Sequence, residues 1–229
     1  MKRSTTLLMA AVFVLASLVC KAQPITGGVT AGLVTSQIDG DGYAGFHQIG
    51  WTAGVFGRIP DDDYTSWQLE LRYSLFGSHS GDKEVEYGYL PMDIRLHYVE
   101  LPVLYRYQLS RFSVNGMPLD FVTLEFGLNG DFLVKNSQSA NHEYPVENPA
   151  WWFFSLSGSV GVQIDLNDRL GINLRSTNSL TPCRWRAESP SIFYGHYYNI
   201  ALLGSVTYTI NALGDQKGAK VNPTESGSM

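Results

Sequence analysis

The chain has 229 residues, a formal net charge of −5, 16% charged residues and 13% aromatic residues. That length suits one domain with a sizeable core, and the sparse, acidic charge excludes a nucleic-acid-binding surface and fits an envelope protein better than a cytosolic enzyme. It contains two cysteines, and only Cys183 follows the leader described next, so no internal disulfide framework is available.

Met1–Ala22 reads as a secretory signal. Lys2 and Arg3 form its basic start, Leu7–Val19 its apolar core, and Cys20-Lys21-Ala22 puts small residues before a cut expected ahead of Gln23. A lipoprotein signal with Cys20 lipidated is disfavoured by Ser17-Leu18-Val19, which lacks the small last residue that such a site prefers. A signal anchor is disfavoured too, because the core falls short of the roughly 20 residues a spanning helix needs. No later apolar run reaches that length.

From Gly28 onward the pattern has period two. Gly28–Gln37 is a first strand with Val29, Ala31 and Leu33 on one face. Ile38–His47 is a glycine-rich loop. Gln48–Ile59 sets Ile49, Trp51, Ala53 and Val55 against Gly50, Thr52, Gly54, Phe56 and Arg58. Pro60–Ser66 is a turn. Trp67–Phe76 is the clearest strand, with Trp67, Leu69, Leu71, Tyr73 and Leu75 facing one way and Gln68, Glu70, Arg72 and Ser74 the other. Gly77–Pro91 is a long polar loop.

Met92–Gln108 follows. Ile94, Leu96 and Tyr98 share one face, opposite Asp93, Arg95 and His97. Leu101, Val103, Tyr105 and Tyr107 continue the apolar set opposite Arg106 and Gln108. The step from Tyr98 to Leu101 is three residues, so a β-bulge is expected near Val99–Glu100, beside Pro102, with Glu100 turned toward Arg72, Arg95 or Arg106.

Ser110–Pro118 turns back. Leu119–Lys135 sets Val122, Leu124, Phe126, Leu128 and Phe132 against Thr123, Glu125, Gly127, Asn129 and Asp131. Asn136–Pro149 is a polar loop. Ala150–Leu166 carries Trp152, Phe154, Leu156, Val160, Val162 and Ile164 on its apolar face, and Asn167–Arg169 is tight. Leu170–Ser179 sets Ile172 and Leu174 against Asn173, Arg175 and Thr177. Leu180–His196 is a long aromatic loop. Tyr197–Ile210 carries Tyr198, Ile200, Leu202, Val206 and Tyr208, and Asn211–Met229 has no periodicity and reads as a disordered tail.

A soluble core could not absorb so much of both faces. The expected fold is an all-β, eight-stranded antiparallel up-and-down transmembrane β-barrel over residues 23–210, apolar outside and polar within. Short connections at Pro60–Ser66, Ser110–Pro118 and Asn167–Arg169 alternate with longer ones, which gives short periplasmic turns and longer extracellular loops. Trp51, Trp67, Tyr73, Tyr105, Tyr107, Trp152 and Tyr208 are candidates for the interfacial aromatic girdles.

The inward charges are Arg58, Glu70, Arg72, Arg95, Glu100, Arg106, Glu125, Asp131, Asp165 and Arg175. An eight-stranded barrel is just filled by its side chains, so a lumen network of Glu70, Arg72, Arg95, Glu100, Arg106, Glu125, Asp131 and Arg175 is expected to close it. The alternative is a narrow conduction path. Asp39-Gly40-Asp41-Gly42 fails the EF-hand spacing at Tyr43 and Ala44 and reads as a glycine turn. Asp61–Asp63 reads as a solvated turn. No spacing ties His142, Glu143, Ser176 and His196 into a catalytic set. Arg184, Trp185, Arg186, Phe193 and Tyr194 form a candidate outer-loop contact surface, or else rings lodged at the outer interface.

Ser36–Phe56 (SQIDGDGYAGFHQIGWTAGVF) and His97–Tyr107 (HYVELPVLYRY) resemble PorT-like outer-membrane β-barrel proteins of Bacteroidota, the first as their opening hairpin and the second as their Tyr-x-Glu-hydrophobic-Pro strand. The resemblance implies a small outer-membrane barrel in a family whose founding member is tied to secretion across that membrane by the type IX route. The polar tail departs from the pattern of barrels that end near an aromatic residue. The expected protein is a monomeric, non-enzymatic barrel without cofactor or metal, whose partners are outer-membrane lipid and an envelope protein. The competing classes are an outer-leaflet lipid-modifying enzyme and a soluble ligand-binding barrel.

Overall fold

The computed structural model describes residues 25–42, 45–80, 92–140, 151–184 and 196–210, the side chains of Ser139 and Ala140 excepted. Eight long strands close on themselves: β1 (Thr26–Asp39), β2 (Gln48–Pro60), β3 (Thr65–His79), β4 (Met92–Gln108), β7 (Val122–Ala140), β8 (Phe154–Asp165), β9 (Leu170–Ser179) and β10 (Tyr198–Ile210). Every neighbouring pair is antiparallel, and β1 meets β10 from Gly27 opposite Ile210 to Asp39 opposite Tyr198. Closure leaves the barrel sheet itself without an edge to pair with another chain.

The alternation of side chains decides what each face meets. Leu33, Ile49, Trp67, Leu69, Leu71, Phe126, Leu128, Val160, Leu174 and Val206 point outward and are exposed. Their inward neighbours, such as Thr52, Gln68, Glu70, Arg72, Glu125, Asn129, Ser159 and Asn173, are buried. A wall apolar outside and polar inside is stable only when lipid is its outer solvent.

The short connections hold themselves with side-chain turns. Asp62 Oδ1 accepts from the Tyr64 and Thr65 amides at 2.7 Å each. Asn167 Oδ1 accepts from the Arg169 and Leu170 amides at 2.9 Å each. The third connection at this end is longer than the sequence suggests. It carries a 3-10 turn (Leu109–Arg111) and a small hairpin, β5 (Ser113–Val114) with β6 (Met117–Pro118). Asn115 and Gly116 form its tip with φ of 52° and 82°, the left-handed pair a two-residue hairpin turn requires.

The structure corrects the reading of β4. Its burial alternates without a break from Ile94 to Tyr107. Ile94, Leu96 and Tyr98 point into the lumen, while Arg95 and His97 point outward. The irregularity lies on the neighbouring strand: Tyr98 faces Leu133 and His97 faces Lys135, so Val134 is the extra residue, on β7. The physical reason is that the lumen is not polar along its whole length, so apolar side chains alone do not mark the lipid side.

Strand ends also differ from expectation. β7 runs on to Ala140, through residues that read as loop, and β8 begins at Phe154 rather than at Ala150. The expected leader and tail lie outside the described residues.

Candidate functional site

The lumen is filled in layers. At the long-loop end, Val34, Ile38, Phe76, Ile94, Leu96, Tyr98, Leu133, Ala201 and Leu203 form one buried apolar cluster drawn from β1, β3, β4, β7 and β10. Tyr98 sits at its inner boundary, where its hydroxyl accepts from Asn199 Nδ2 at 3.0 Å, across the barrel from β4 to β10.

Below it lies the charged layer. Arg72 reaches Glu100 with two bonds of 2.9 and 3.1 Å and Glu70 at 3.4 Å. Arg175 on β9 reaches Glu70 on β3 at 2.9 and 3.0 Å and Glu125 on β7 at 2.8 Å. Arg106 lies 3.1 Å from Glu125. The chain Glu100–Arg72–Glu70–Arg175–Glu125–Arg106 thus alternates in sign along its length. Each of these six buried charges has an opposite partner, without which it would cost several kcal/mol.

Neutral groups and one further carboxylate, Asp131, complete the layer. Gln68 Oε1 accepts from Arg106 at 2.7 Å and from Arg58 at 2.9 Å, and Gln68 Nε2 donates to Glu70 at 2.6 Å. Asn173 donates to Glu125 at 2.7 Å, and Ser74 donates to Glu100. Asp131, opposite Glu100 across β4 and β7, accepts from Ser157. Nothing in the strand pattern marks Gln68 as a hub, because a buried glutamine and a solvated one look alike there. Glycine makes room for the layer. A Cβ at Gly54 would stand 2.5 Å from the Leu71 carbonyl oxygen and 2.8 Å from the Arg72 Cα.

Seven of the eight residues expected in the lumen network are therefore buried in one layer, and Glu100 lies beside Arg72 rather than Arg95. Arg95 is the correction. It is on the outer face, 54% exposed, and paired with Asp93 at 2.9 Å. Its charge made it look lumenal, but a cation is tolerated outside a barrel near the membrane interface.

At the short-turn end the lumen opens into a polar vestibule. One cavity of about 340 Å³ is lined by Arg58, Gln108, Asp120, Gln163, Asp165 and Thr207, among others. A second of about 260 Å³ shares Arg58, Gln108 and Asp165 with it.

The outer mouth corrects a second expectation. Arg184 is buried, not displayed: its guanidinium lies 5.0 Å from the Trp151 ring and 5.1 Å from the Tyr197 ring. Cys183 beside it is fully buried, its thiol donates to the Tyr197 carbonyl at 3.2 Å, and burial pushes that thiol up to about 12. Trp185, Arg186, Phe193 and Tyr194 lie outside the described residues, as do His142 and Glu143. Ser176 is half-buried on the outward side of β9, and His196 is buried at the mouth beside Gly40. Gly40 and Gly42 have φ of 96° and 89°, as a glycine turn needs.

Closed antiparallel topology, an apolar outer wall and a filled lumen define a small membrane-spanning β-barrel. The chain belongs to the outer membrane protein beta-barrel domain family, which matches residues 22–183. Its place is the outer membrane, in contact with lipid. Among solved structures it is similar to the attachment invasion locus protein Ail of Yersinia pestis, crystallised with the heparin analogue sucrose octasulfate, at 9% identity and a TM-score of 0.44 over 82% of this chain and 100% of that one. It is similar to Neisserial surface protein A at 9% identity and a TM-score of 0.42, over 82% of this chain and 98% of that one. No curated protein sequence matches it.

Proposed function

We propose that this barrel is a closed, non-conducting and non-enzymatic monomer that acts through its two ends, as a display or accessory element of the outer membrane. The observation that carries this reading is the double obstruction of the lumen. A path along the axis would have to cross both the apolar cluster around Leu96 and Phe76 and the ion-paired layer around Arg175. Eight strands leave no free bore beside such filling.

The function then lies in association with an envelope partner. The resemblance of Ser36–Phe56 and His97–Tyr107 to PorT-like proteins favours an accessory role in protein secretion across the outer membrane. Two measurements test this. Purified barrel in planar bilayers is expected to give no stepwise conductance, and discrete openings would overturn the closed lumen. Deleting the gene is expected to retain secreted proteins in the periplasm while leaving the lipid A mass profile unchanged. A changed lipid profile would transfer the assignment to a lipid-modifying enzyme, and normal release would remove the secretion role.

A further inference from the structure

The correction at Arg95 exposes a feature of the outer wall. Among the described residues, Arg58, Arg72, Arg106 and Arg175 line the lumen or its vestibule, Arg111 and Arg169 lie on the short-turn connections, and Arg184 is buried at the mouth. Two cations remain on the membrane-facing side of the strands, Arg95 and Lys135, and they are neighbours. Lys135 on β7 stands opposite His97 on β4, and Arg95 is two residues from His97 on the same face.

Their height follows from what surrounds them. His97 Nδ1 is 2.7 Å from the Tyr73 hydroxyl, and the Tyr73 ring is 5.2 Å from that of Trp51. Such a row of rings with polar edges marks the membrane–water interface. Arg95 lies on the loop side of this row, at headgroup level. Asp93 takes the Nε and Nη2 side of the Arg95 guanidinium, at 3.2 and 2.9 Å, and among the described residues Nη1 has no hydrogen-bond partner. Below the row the wall is apolar, with Leu71, Leu101 and Leu128 exposed.

We propose that Arg95 and Lys135, with the His97–Tyr73 pair at their side, hold the phosphate of an outer-leaflet glycolipid against the barrel wall. The cations match the phosphate, and the apolar wall beneath receives acyl chains. That second feature selects a lipid headgroup over free phosphate.

The test uses the mature barrel refolded in neutral detergent and lipid retention read by native mass spectrometry. The probes are bis-phosphorylated lipid A and the same lipid dephosphorylated. Each cation near an anionic lipid contributes about fivefold, so removing both is expected to lower retention about thirtyfold. The double variant Arg95→Gln/Lys135→Gln should show that loss for the phosphorylated lipid, and the wild type should show it for the dephosphorylated one. Arg111→Gln, at the opposite end, should retain lipid normally. Equal retention of both lipids by the wild type would overturn the proposal, as would full retention by a folded double variant. Displacement of the lipid by an equal concentration of inorganic phosphate would overturn the lipid as the source. If the double variant loses heat-modifiable folding, the two-lipid comparison on the wild type still decides.

Discussion

Replacing Arg175 by methionine removes the group that, among the described residues, ties β3 to β9 and β7 through charge. The wild-type layer holds Arg72, Arg106 and Arg175 against Glu70, Glu100 and Glu125. The substitution leaves Glu70 with Arg72 alone at 3.4 Å, and Glu125 with Arg106 alone at 3.1 Å. Methionine is of similar length and apolar, so little cavity forms and the loss is mainly electrostatic. Stranding part of a buried carboxylate pair should cost about 3–5 kcal/mol. The assay is urea unfolding of the barrel in lipid vesicles, followed by tryptophan emission from Trp51, Trp67 and Trp152, which are exposed on its outside. The double variant Glu70→Gln/Arg175→Met removes one charge of each sign. It should therefore be more stable than Arg175→Met alone, with a coupling of about 1–3 kcal/mol. A cost under about 1 kcal/mol for Arg175→Met, or a double variant that simply adds the two single costs, would refute a coupled network.

Four shorter predictions follow from other parts of the molecule. Leu71→Arg, on a side chain 50% exposed to lipid, should cost about 2–4 kcal/mol and lower the yield of heat-modifiable barrel; equal tolerance of arginine at Leu69, Leu71 and Tyr73 would contradict the lipid-facing wall. Cys183 should resist maleimide at neutral pH while folded and react once denatured, because the thiolate is the reactive form and its thiol is pushed up to about 12; fast labelling of folded protein would place it in water. The Tyr64 amide and Thr65 hold the Asp62 carboxyl below its ordinary value of 3.8, so Asp62 stabilises the turn above that value and loses its effect as pH falls through the lower folded one. Asp62→Asn keeps the acceptor and should flatten this acid dependence, and identical acid unfolding of the two proteins would rule the effect out. Deleting Val134 should remove the bulge with little change in folding yield, whereas deleting Leu128, away from it, should turn Asp131 toward lipid and lower the yield; equal outcomes would show that the irregularity is not there.

The strands were legible wherever the two faces differ in chemistry. Trp67–Leu75 against Gln68–Ser74 leaves one assignment, because a slip of one residue would put arginine and glutamate into lipid. Met92–Tyr98 was misread for a physical reason. Its apolar set fits lipid, but equally fits a dry lumen, and only continuity of parity with Glu100, Leu104 and Arg106 separates the two. Keeping that parity places Ile94, Leu96 and Tyr98 inside and requires no bulge on β4. The end of β7 was missed differently. Lys135–Gln138 lie where the wall leaves the hydrocarbon, so both faces are polar and the alternation vanishes although the ladder continues. The vestibule cavities, too, had no sequence signal, since Arg58, Asp165 and Thr207 come from separate strands.

The order of the layers explains why the six charges from Glu100 to Arg106 are so strictly paired. The apolar cluster around Leu96 and Phe76 shuts water out on the long-loop side, so the layer beneath it sits in a medium of low polarizability. There an ion pair is stronger than in water, and an unpaired charge is more costly. A layer open at both ends could tolerate mismatched charges by hydrating them. This one can hydrate only toward the vestibule, where Arg58 and Asp165 lie. Strand register follows from that asymmetry. Arg175 meets Glu70 and Glu125 only when β9 stands at one height relative to β3 and β7, two strands to which it is not hydrogen-bonded. A two-residue slip of β9 preserves its inward and outward faces, so the hydrophobic pattern cannot forbid it. The buried guanidinium can, because the slipped barrel would leave it without carboxylates.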